Sequence, residues 1–353
     1  MNIPEHRKAI DKLDARIVKL LNERTQHVLE IGAIKLKAGE EIYAPHRELT
    51  VLQRVGRLNK GPIAHQALRA IYREIMSSAL SLQKTMHIAY LGPEATFTQQ
   101  AAIRRFGSSL RYFPQKTIND VFAEVSKNRA DCGVVPIENS TEGVVTHTLD
   151  MFVDSDLKIV SQIVLRVQHC LLSNSRKSQI KKLFAHPQAL AQCRAWVQNN
   201  LPRVEIIETS SNARSAELAA REKATAAIAG QLAAEKYALN VLEFDIQDNA
   251  ANATRFLVLG RQCSPPTGHD RTSLMISLVD KVGALHRALA AFRRYRINMT
   301  KIESRPSKRK AWEYFFFIDC DGHMSDAKVA KAIAELEQQC SFVKVLGSYP
   351  NTE

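Results

Sequence analysis

From Pro4 to about Leu36, apolar residues recur at Ile10, Leu13, Ile17, Leu20, Leu21, Val28, Ile31 and Ile34. That spacing is a helical stripe and predicts one long helix. A polar break at Lys37 to Glu41 precedes a second helical pattern from about His46 to Leu58. Lys60-Gly61-Pro62 then separates it from a third, Ile63 to about Lys84. Three helices bury little by themselves, and a lone helix of about 30 residues exposes its stripe unless another chain covers it. At least a homodimer is therefore expected.

The remaining length, in a chain of 353 residues, calls for further domains. At His87 the texture changes. Short apolar runs (Ile88 to Leu91, Cys132 to Ile137, Ala226 to Ala229) alternate with helical stretches such as Ile118 to Arg129 and Ala213 to Arg221, which reads as α/β. Ser264-Pro265-Pro266-Thr267-Gly268 looks like a linker. After it the pattern predicts strand Ser273 to Val279, helix Gly283 to Arg296, strands Asn298 to Arg305 and Trp312 to Asp319, helix Asp326 to Gln339 and strand Phe342 to Gly347. That order is βαββαβ, often a regulatory module.

A 45% apolar and 24% charged composition is that of a globular protein. The net charge of +13 is spread along the chain, and its densest cluster, Lys308-Arg309-Lys310, is three residues long. Such a spread argues against nucleic acid as partner, while attraction for small polyanionic substrates accounts for the same excess. Six scattered cysteines without a CxxC pair read as reduced thiols. No metal is expected, because there is no HExxH and the histidines are scattered; no organic cofactor is expected either. Without an apolar signal sequence or a run of ~18 apolar residues, the chain is expected in the cytoplasm, with no membrane partner.

Geometry places three cations of the first helix. At ~100° and ~1.5 Å per residue, Arg24 and Lys35 point to one face, while Arg7 lies about 26 Å from Arg24 and is rotated by roughly 100°. If all three bind one small anion, Arg7 comes from another chain. A single Arg or Lys on a helix is usually just solvated, but the joint spacing argues for a site. The run His6-Arg7, Asp14, Leu21-Asn22-Glu23-Arg24 and Gly32-Ala33-Ile34-Lys35, followed by Arg47-Glu48 and a helix bearing Gln83, resembles the all-helical chorismate mutases over residues 1–86. The resemblance implies that Arg7 and Arg24 bind substrate carboxylates. Lys35 and Gln83 would donate to the ether oxygen, and Glu48, assisted by Arg47, would hold the ring hydroxyl. Such a rearrangement needs a compact conformer and donors where negative charge develops. Ala79 stands where some relatives carry serine, and Ala44 where some carry an acid.

Residues 87–263 are similar to prephenate dehydratase through Gly92-Pro93-Glu94-Ala95-Thr96-Phe97, Val135-Pro136-Ile137-Glu138-Asn139-Ser140, His186-Pro187-Gln188 and Thr254-Arg255-Phe256. The implied fold is two α/β lobes like a periplasmic binding protein, with the site in the cleft. Thr254 would donate to the leaving hydroxyl of prephenate, polarised by neighbours. Arg255 would anchor a carboxylate, and Glu138, Asn139, Ser140, Gln188, Ser210 and Ser211 would line the cleft. Ala95 replaces a common glycine.

Residues 270–350 resemble the ferredoxin-like α+β ACT modules through Gly283-Ala284-Leu285-His286 and Glu303-Ser304-Arg305-Pro306. The resemblance implies phenylalanine as a feedback effector held by these residues; His286 departs from the usual aliphatic residue. The implied whole is a multidomain enzyme converting chorismate through prephenate to phenylpyruvate. Its rivals are a sensor that lost catalysis, a basic transcriptional regulator, and a chain in which only the dehydratase is active.

Overall fold

The computed structural model describes residues 2–307 and 313–351; the Lys308-Arg309-Lys310 cluster and the expected strand start at Trp312 fall outside them. Two compact units emerge, one of residues 1–87 and 105–111, the other of residues 88–104 and 112–353.

The first unit is built on α1 (Ile3–Ala38), α2 (Pro45–Leu58) and α3 (His65–Gln83). Asn2 starts α1 with a capping box, its side chain accepting from Glu5 N at 3.0 Å while Glu5 accepts from Asn2 N at 2.9 Å. Gly39 ends it in the left-handed conformation at φ 68°. Only the C-terminal half of α1 is covered. From Asn2 to Leu20 every side chain except Ala9 is exposed, Ile10, Leu13 and Ile17 by just over half. The segment 105–111 docks on α3, where Glu74 accepts from Ser108 N and Oγ at 3.0 and 2.7 Å and Ser77 Oγ accepts from Ser109 N at 3.2 Å.

The first lobe of the second unit is built on β1 (His87–Leu91), α4 (Phe97–Phe106), β2 (Arg111–Gln115), α5 (Ile118–Ser126), β3 (Cys132–Asn139), β4 (Gly143–Val144), α6 (Thr146–Met151) and β5 (Lys158–Arg166), with His87, the end of α4 from Arg105 and the first residue of β2 belonging to the first unit. The chain then crosses to a second lobe of β6 (Cys170–Ser173), β7 (Lys182–Ala185), α7 (Pro187–Gln192), α8 (Arg194–Asn200), β8 (Glu205–Glu208), α9 (Asn212–Arg221), β9 (Thr225–Ala229), α10 (Gln231–Tyr237) and β10 (Asn240–Glu243). It returns to the first lobe as β11 (Ala253–Gly260), which inserts between β3 and β5 and runs antiparallel to both. The sheets order as β2-β1-β3-β11-β5 and β10-β6-β9-β7-β8, with β4 on β3.

A βαββαβ module closes the chain: β12 (Asp270–Ser277), α11 (Ala284–Arg294), β13 (Met299–Pro306), β14 (Tyr314–Asp321), α12 (Ala327–Gln339) and β15 (Phe342–Pro350), with sheet order β13-β14-β12-β15. Both of its faces are covered. Leu274, Ile276, Ile318 and Cys320 pack under Ala288, Phe292 and Leu336 of the helices. Met275, Phe315, Phe317 and Tyr349 join Ile137, Phe152, Ile159 and Leu257 of the first lobe in one core. β12 is accordingly buried along its whole length. The expected linker is anchored at its start, where Ser264 is buried, donates to Val160 O at 3.0 Å, and has its carbonyl 2.9 Å from His323 Nε2, while Pro265, Pro266 and Gly268 are exposed. It connects β11 to β12.

Where β15 crosses β5 the backbones nearly touch: a Cβ on Gly347 would stand 2.2 Å from Ile159 O. Gly347→Ala must push the module off the lobe and should destabilise the second unit by about 1–3 kcal/mol. Urea unfolding checks this, and an unchanged midpoint would refute the close crossing.

Candidate active sites

The helical unit forms a half-open cavity of about 200 Å³. Its walls carry Arg24 and Lys35 from α1, Arg47 and Glu48 from α2, and Gln83 from the end of α3, with Val28, Ile31, Val51, Met76 and Leu80 as the apolar lining. The structure thus brings together every residue the sequence assigns to this pocket except Arg7, which sits on the exposed half of α1. Arg24 Nη1 is buried without a hydrogen-bond partner among the described residues, a donor left open for an anion. Lys35 Nζ donates to Glu41 O at 3.2 Å, which fixes the ammonium and leaves two protons for a ligand. Gln83 lies against Gly32, where a Cβ would come within 2.8 Å of its Cγ, so the glycine admits the amide to the pocket. Ala44 and Ala79 line the cavity, whereas Ser77 is turned to Ser109 and Ser78 is exposed.

One participant escaped the sequence reading. Arg105 Nη1 is 2.9 Å from a Glu48 carboxylate oxygen, and its guanidinium lies 5.6 Å from the Tyr43 ring centre. Burial pushes the Glu48 carboxyl up, and Arg105, then Arg73, oppose it. Burial likewise lowers His46, reinforced by Lys35 and Arg47, as a cationic pocket should.

In the first lobe of the second unit, strand register decides the site. β3 and β11 pair with Thr254 opposite Asn139 and Arg255 opposite Glu138. Alternation sends the two pairs to opposite faces. On one face Asn139 Nδ2 donates to Thr254 Oγ1 at 2.8 Å and to Asn252 Oδ1 at 2.9 Å. Because its oxygen already accepts, the Thr254 hydroxyl is polarised and its proton is free to be given to something else. Asn139 Oδ1 in turn accepts from Thr141 N, Thr141 Oγ1 and Glu142 N. The network crosses lobes through Gln192 at the end of α7. Its Oε1 accepts from Asn252 Nδ2 at 2.7 Å, and its Nε2 donates to Thr141 Oγ1 at 3.3 Å and Glu142 Oε1 at 3.2 Å. The same Oε1 lies 2.9 Å from His169 Nε2, which assigns the proton to that nitrogen; burial lowers the imidazole pKa and the Gln192 bond opposes it. No local motif in the sequence pointed to Gln192 or His169.

On the other face Arg255 departs from the sequence reading. Its guanidinium is buried, with Nε 2.6 Å from Glu138 and Nη2 2.7 Å from Asp319 of β14. Lys301 of β13 also pairs with Glu138. Burial disfavours the Arg255 charge, but Asp319, Tyr349 and Glu138 outweigh it and raise its pKa. Glu138 and Arg255 therefore join the βαββαβ module to the lobe and do not sit with Thr254.

The other expected cleft residues scatter in role. Ser140 Oγ accepts from Ala253 N at 3.0 Å and donates to Ala251 O at 3.3 Å, bracing the strand ends. His186 caps α7, accepting from Gln188 N at 3.3 Å, and the Gln188 side chain is exposed. Ser211 caps α9, accepting from Arg214 N at 3.1 Å, and Ser210 is exposed. Ala95 is buried at φ 64°, keeping the backbone a glycine would favour.

In the βαββαβ module Gly283 caps α11 at φ 75°, with Ala284 and Leu285 half-buried behind it and His286 exposed. The edge strand β13 divides the second expected motif. Ser304 and Pro306 are exposed on one face, while Glu303 and Arg305 are turned to the other. Arg305 is spent on Asp150 of α6 in a bidentate pair, both contacts 3.2 Å. Among the described residues no helix is long and apolar enough to cross a membrane.

A cation-lined helical pocket and a polarised threonine in a two-lobed α/β unit define a multidomain enzyme with two sites. Family models match in the same order: chorismate mutase type II at residues 6–84, prephenate dehydratase at 88–264 and the ACT domain at 272–338. The chain is 48% identical over 353 residues to a bifunctional chorismate mutase/prephenate dehydratase of Aquifex aeolicus, covering 99% of this chain and 98% of the relative. To one of Neisseria gonorrhoeae it is 46% identical over 349 residues, covering 98% and 96%. In structure it is similar to a prephenate dehydratase from Arthrobacter aurescens in complex with L-Phe, at TM-score 0.71 and 36% identity, over 75% of this chain and 90% of that one. The chain belongs to the family of bifunctional chorismate mutase/prephenate dehydratases. The relatives lend no support to the rival of a sensor without catalysis.

Asp319→Ala strips the buried Arg255 of a partner and should cost about 3–5 kcal/mol. Chemical denaturation measures it, and a loss below about 1 kcal/mol would mean that the cluster is solvated.

Proposed function

We propose that residues 1–86 rearrange chorismate to prephenate, that residues 87–263 convert prephenate to phenylpyruvate, and that residues 270–350 make the dehydratase responsive to phenylalanine. The observation that carries the first step is the convergence of Arg24, Lys35, Arg47, Glu48 and Gln83 on one cavity. No covalent catalyst is required. Arg24, with its open buried donor, takes one substrate carboxylate. Lys35 and Gln83 donate to the ether oxygen as its bond breaks, and Glu48 accepts from the ring hydroxyl, assisted by Arg47. Arg7 completes the pocket from a second copy of the chain, because the uncovered apolar half of α1 calls for a partner helix and carries Arg7 with it.

For the second step Thr254 gives its proton to the leaving hydroxyl while the ring carboxylate departs as carbon dioxide. Water leaves, the ring becomes aromatic, and solvent reprotonates the threonine. Asn139 supports this role by donating to Thr254 Oγ1, which makes the hydroxyl a better acid. Phenylalanine is assigned to the turn Gly283, Ala284, Leu285 and His286 with Ser304 and Pro306 of β13, where helix amides favour a carboxylate. A structural relative that carries L-Phe supports the choice of ligand. The homo-oligomer is at least a dimer, in the cytoplasm.

Purified protein given chorismate should form prephenate and then phenylpyruvate, and phenylalanine should slow the second. Lys35→Ala should cut mutase kcat/KM by roughly 100–1,000-fold while sparing dehydration of supplied prephenate. Thr254→Ala should do the reverse, by roughly 100–10,000-fold. Parallel loss of both rates in a folded variant would contradict separate sites. In mixed oligomers of Arg7→Ala and Arg24→Ala chains, each inactive alone, mutase activity should partly return; no return in confirmed hetero-oligomers would refute the shared pocket.

A further inference from the structure

We propose that Arg105, which lies outside the residues matched to the mutase family, is the positioning residue that holds Glu48 as the acceptor for the substrate's ring hydroxyl. This deepens the mutase reading above and rests on Glu48 having that role.

Glu48 is the one carboxylate among the described residues that line the cavity, and Arg105 is not part of the wall. Arg105 therefore acts through Glu48. Their side chains keep only 16% and 18% exposure at a separation of 2.9 Å, so solvent does little to screen the pair. The guanidinium is itself held, over the Tyr43 ring, which packs at 5.0 Å on Phe106 next along the chain. One oxygen of Glu48 is thereby paired with a cation that is not part of the cavity wall. A carboxylate so held keeps lone pairs for a hydroxyl in the cavity it lines.

The proton decides what Glu48 can do. As carboxylate it only accepts; as acid it donates and competes with the hydroxyl it should hold. The groups around it are Arg24 and Lys35 on α1, Arg47 and His46 on its own helix, Arg73 on α3, and Arg105. Burial favours the neutral acid, and Arg105 is the first of the cations that oppose it. Removing Arg105 therefore raises the Glu48 pKa further. The acceptor form is then lost at a higher pH than in the parent protein, and the acid limb of mutase kcat/KM moves upward.

The test uses the full chain, with mutase kcat/KM followed as chorismate consumption between about pH 5 and 9. Dehydration of supplied prephenate serves as the check that each variant is folded. Arg105→Ala should lower mutase kcat/KM by roughly 10–100-fold near neutral pH, with an upward-shifted acid limb and unchanged dehydration. Arg105→Lys, which keeps the charge, should restore most of the limb. In the Glu48→Gln background, which has no titrating carboxyl, Arg105→Ala should add little. If Arg105→Ala does not fold, Arg105→Gln, similar in polarity and without charge, carries the same expectations. An unshifted limb and undiminished kcat/KM in a folded uncharged variant, beside an impaired Glu48→Gln, overturns the role of Arg105 alone. A Glu48→Gln chain with parental activity across the range overturns the reading of Glu48 beneath it, and the proposal with it.

Discussion

The register between β3 and β11 is the constraint on which the second unit turns. Two adjacent residues on each strand, Glu138-Asn139 and Thr254-Arg255, meet their counterparts directly across the ladder. Because side chains alternate, one ladder serves two faces with two chemistries. Asn139 and Thr254 form a neutral hydrogen-bonded pair opening toward the second lobe through Gln192, and Glu138 and Arg255 form a charged pair closed against the βαββαβ module. A slip of one residue would exchange them, burying the threonine against Asp319 and turning an arginine toward the other lobe. The buried charges oppose such a slip. Arg255 away from Glu138 and Asp319 would be a desolvated cation without partners, an arrangement several kcal/mol less favourable. The ionic cluster thus contributes less to net stability than to fixing which face Thr254 occupies.

How much of this could be read from the chain follows the range of each interaction. The helices of the first unit were legible because a 3.6-residue stripe is local, and their pocket was legible because Arg24 and Lys35 lie on one helix face. The motifs around Asn139 and Thr254 were likewise contiguous. What failed was orientation. Arg255 sits beside Thr254 in sequence, and Arg305 beside Ser304, yet neighbours on a strand face opposite ways, and only the pairing partners tell which way. Contacts across long sequence separations were invisible altogether. Arg105 reaches Glu48 across 57 residues, and Gln192 reaches Asn252 across 60. Composition was a fair guide at Ser264 to Gly268, a segment without helix or strand at the junction between the residues matched to the second and third families, because proline and glycine mark a change of direction.

The first unit leaves half of its longest helix uncovered. A helix of 36 residues extends ~54 Å, and α2 and α3 are too short to cover it. Ile10, Leu13, Ile17 and Leu20 are left in water along its first half, at a cost of roughly 25 cal/mol per Å² of apolar surface. In the dimer proposed above, burying that stripe against a second copy would carry Arg7 toward another chain's cavity, because the apolar surface and the cation lie on the same half-helix.

The shared core offers a route for the proposed regulation. The βαββαβ sheet gives one face to its own helices and the other to the first lobe, with Met275, Phe317 and Tyr349 packed on Ile137 and Leu257. A ligand at the Gly283 turn does not touch Thr254. In the proposed regulation it would alter dehydration by favouring one packing of this sheet on the lobe over another. Close-packed interfaces do not deform continuously, so such a change is a step between alternative arrangements. The ion pairs Arg255 to Asp319, Lys301 to Glu138 and Arg305 to Asp150 lie across that boundary, and each must break or move with it. Two of the three involve a residue adjacent in sequence to the Asn139–Thr254 pair. In the proposed mechanism, a shift of β13 and β14 would pull on the strands that carry Asn139 and Thr254.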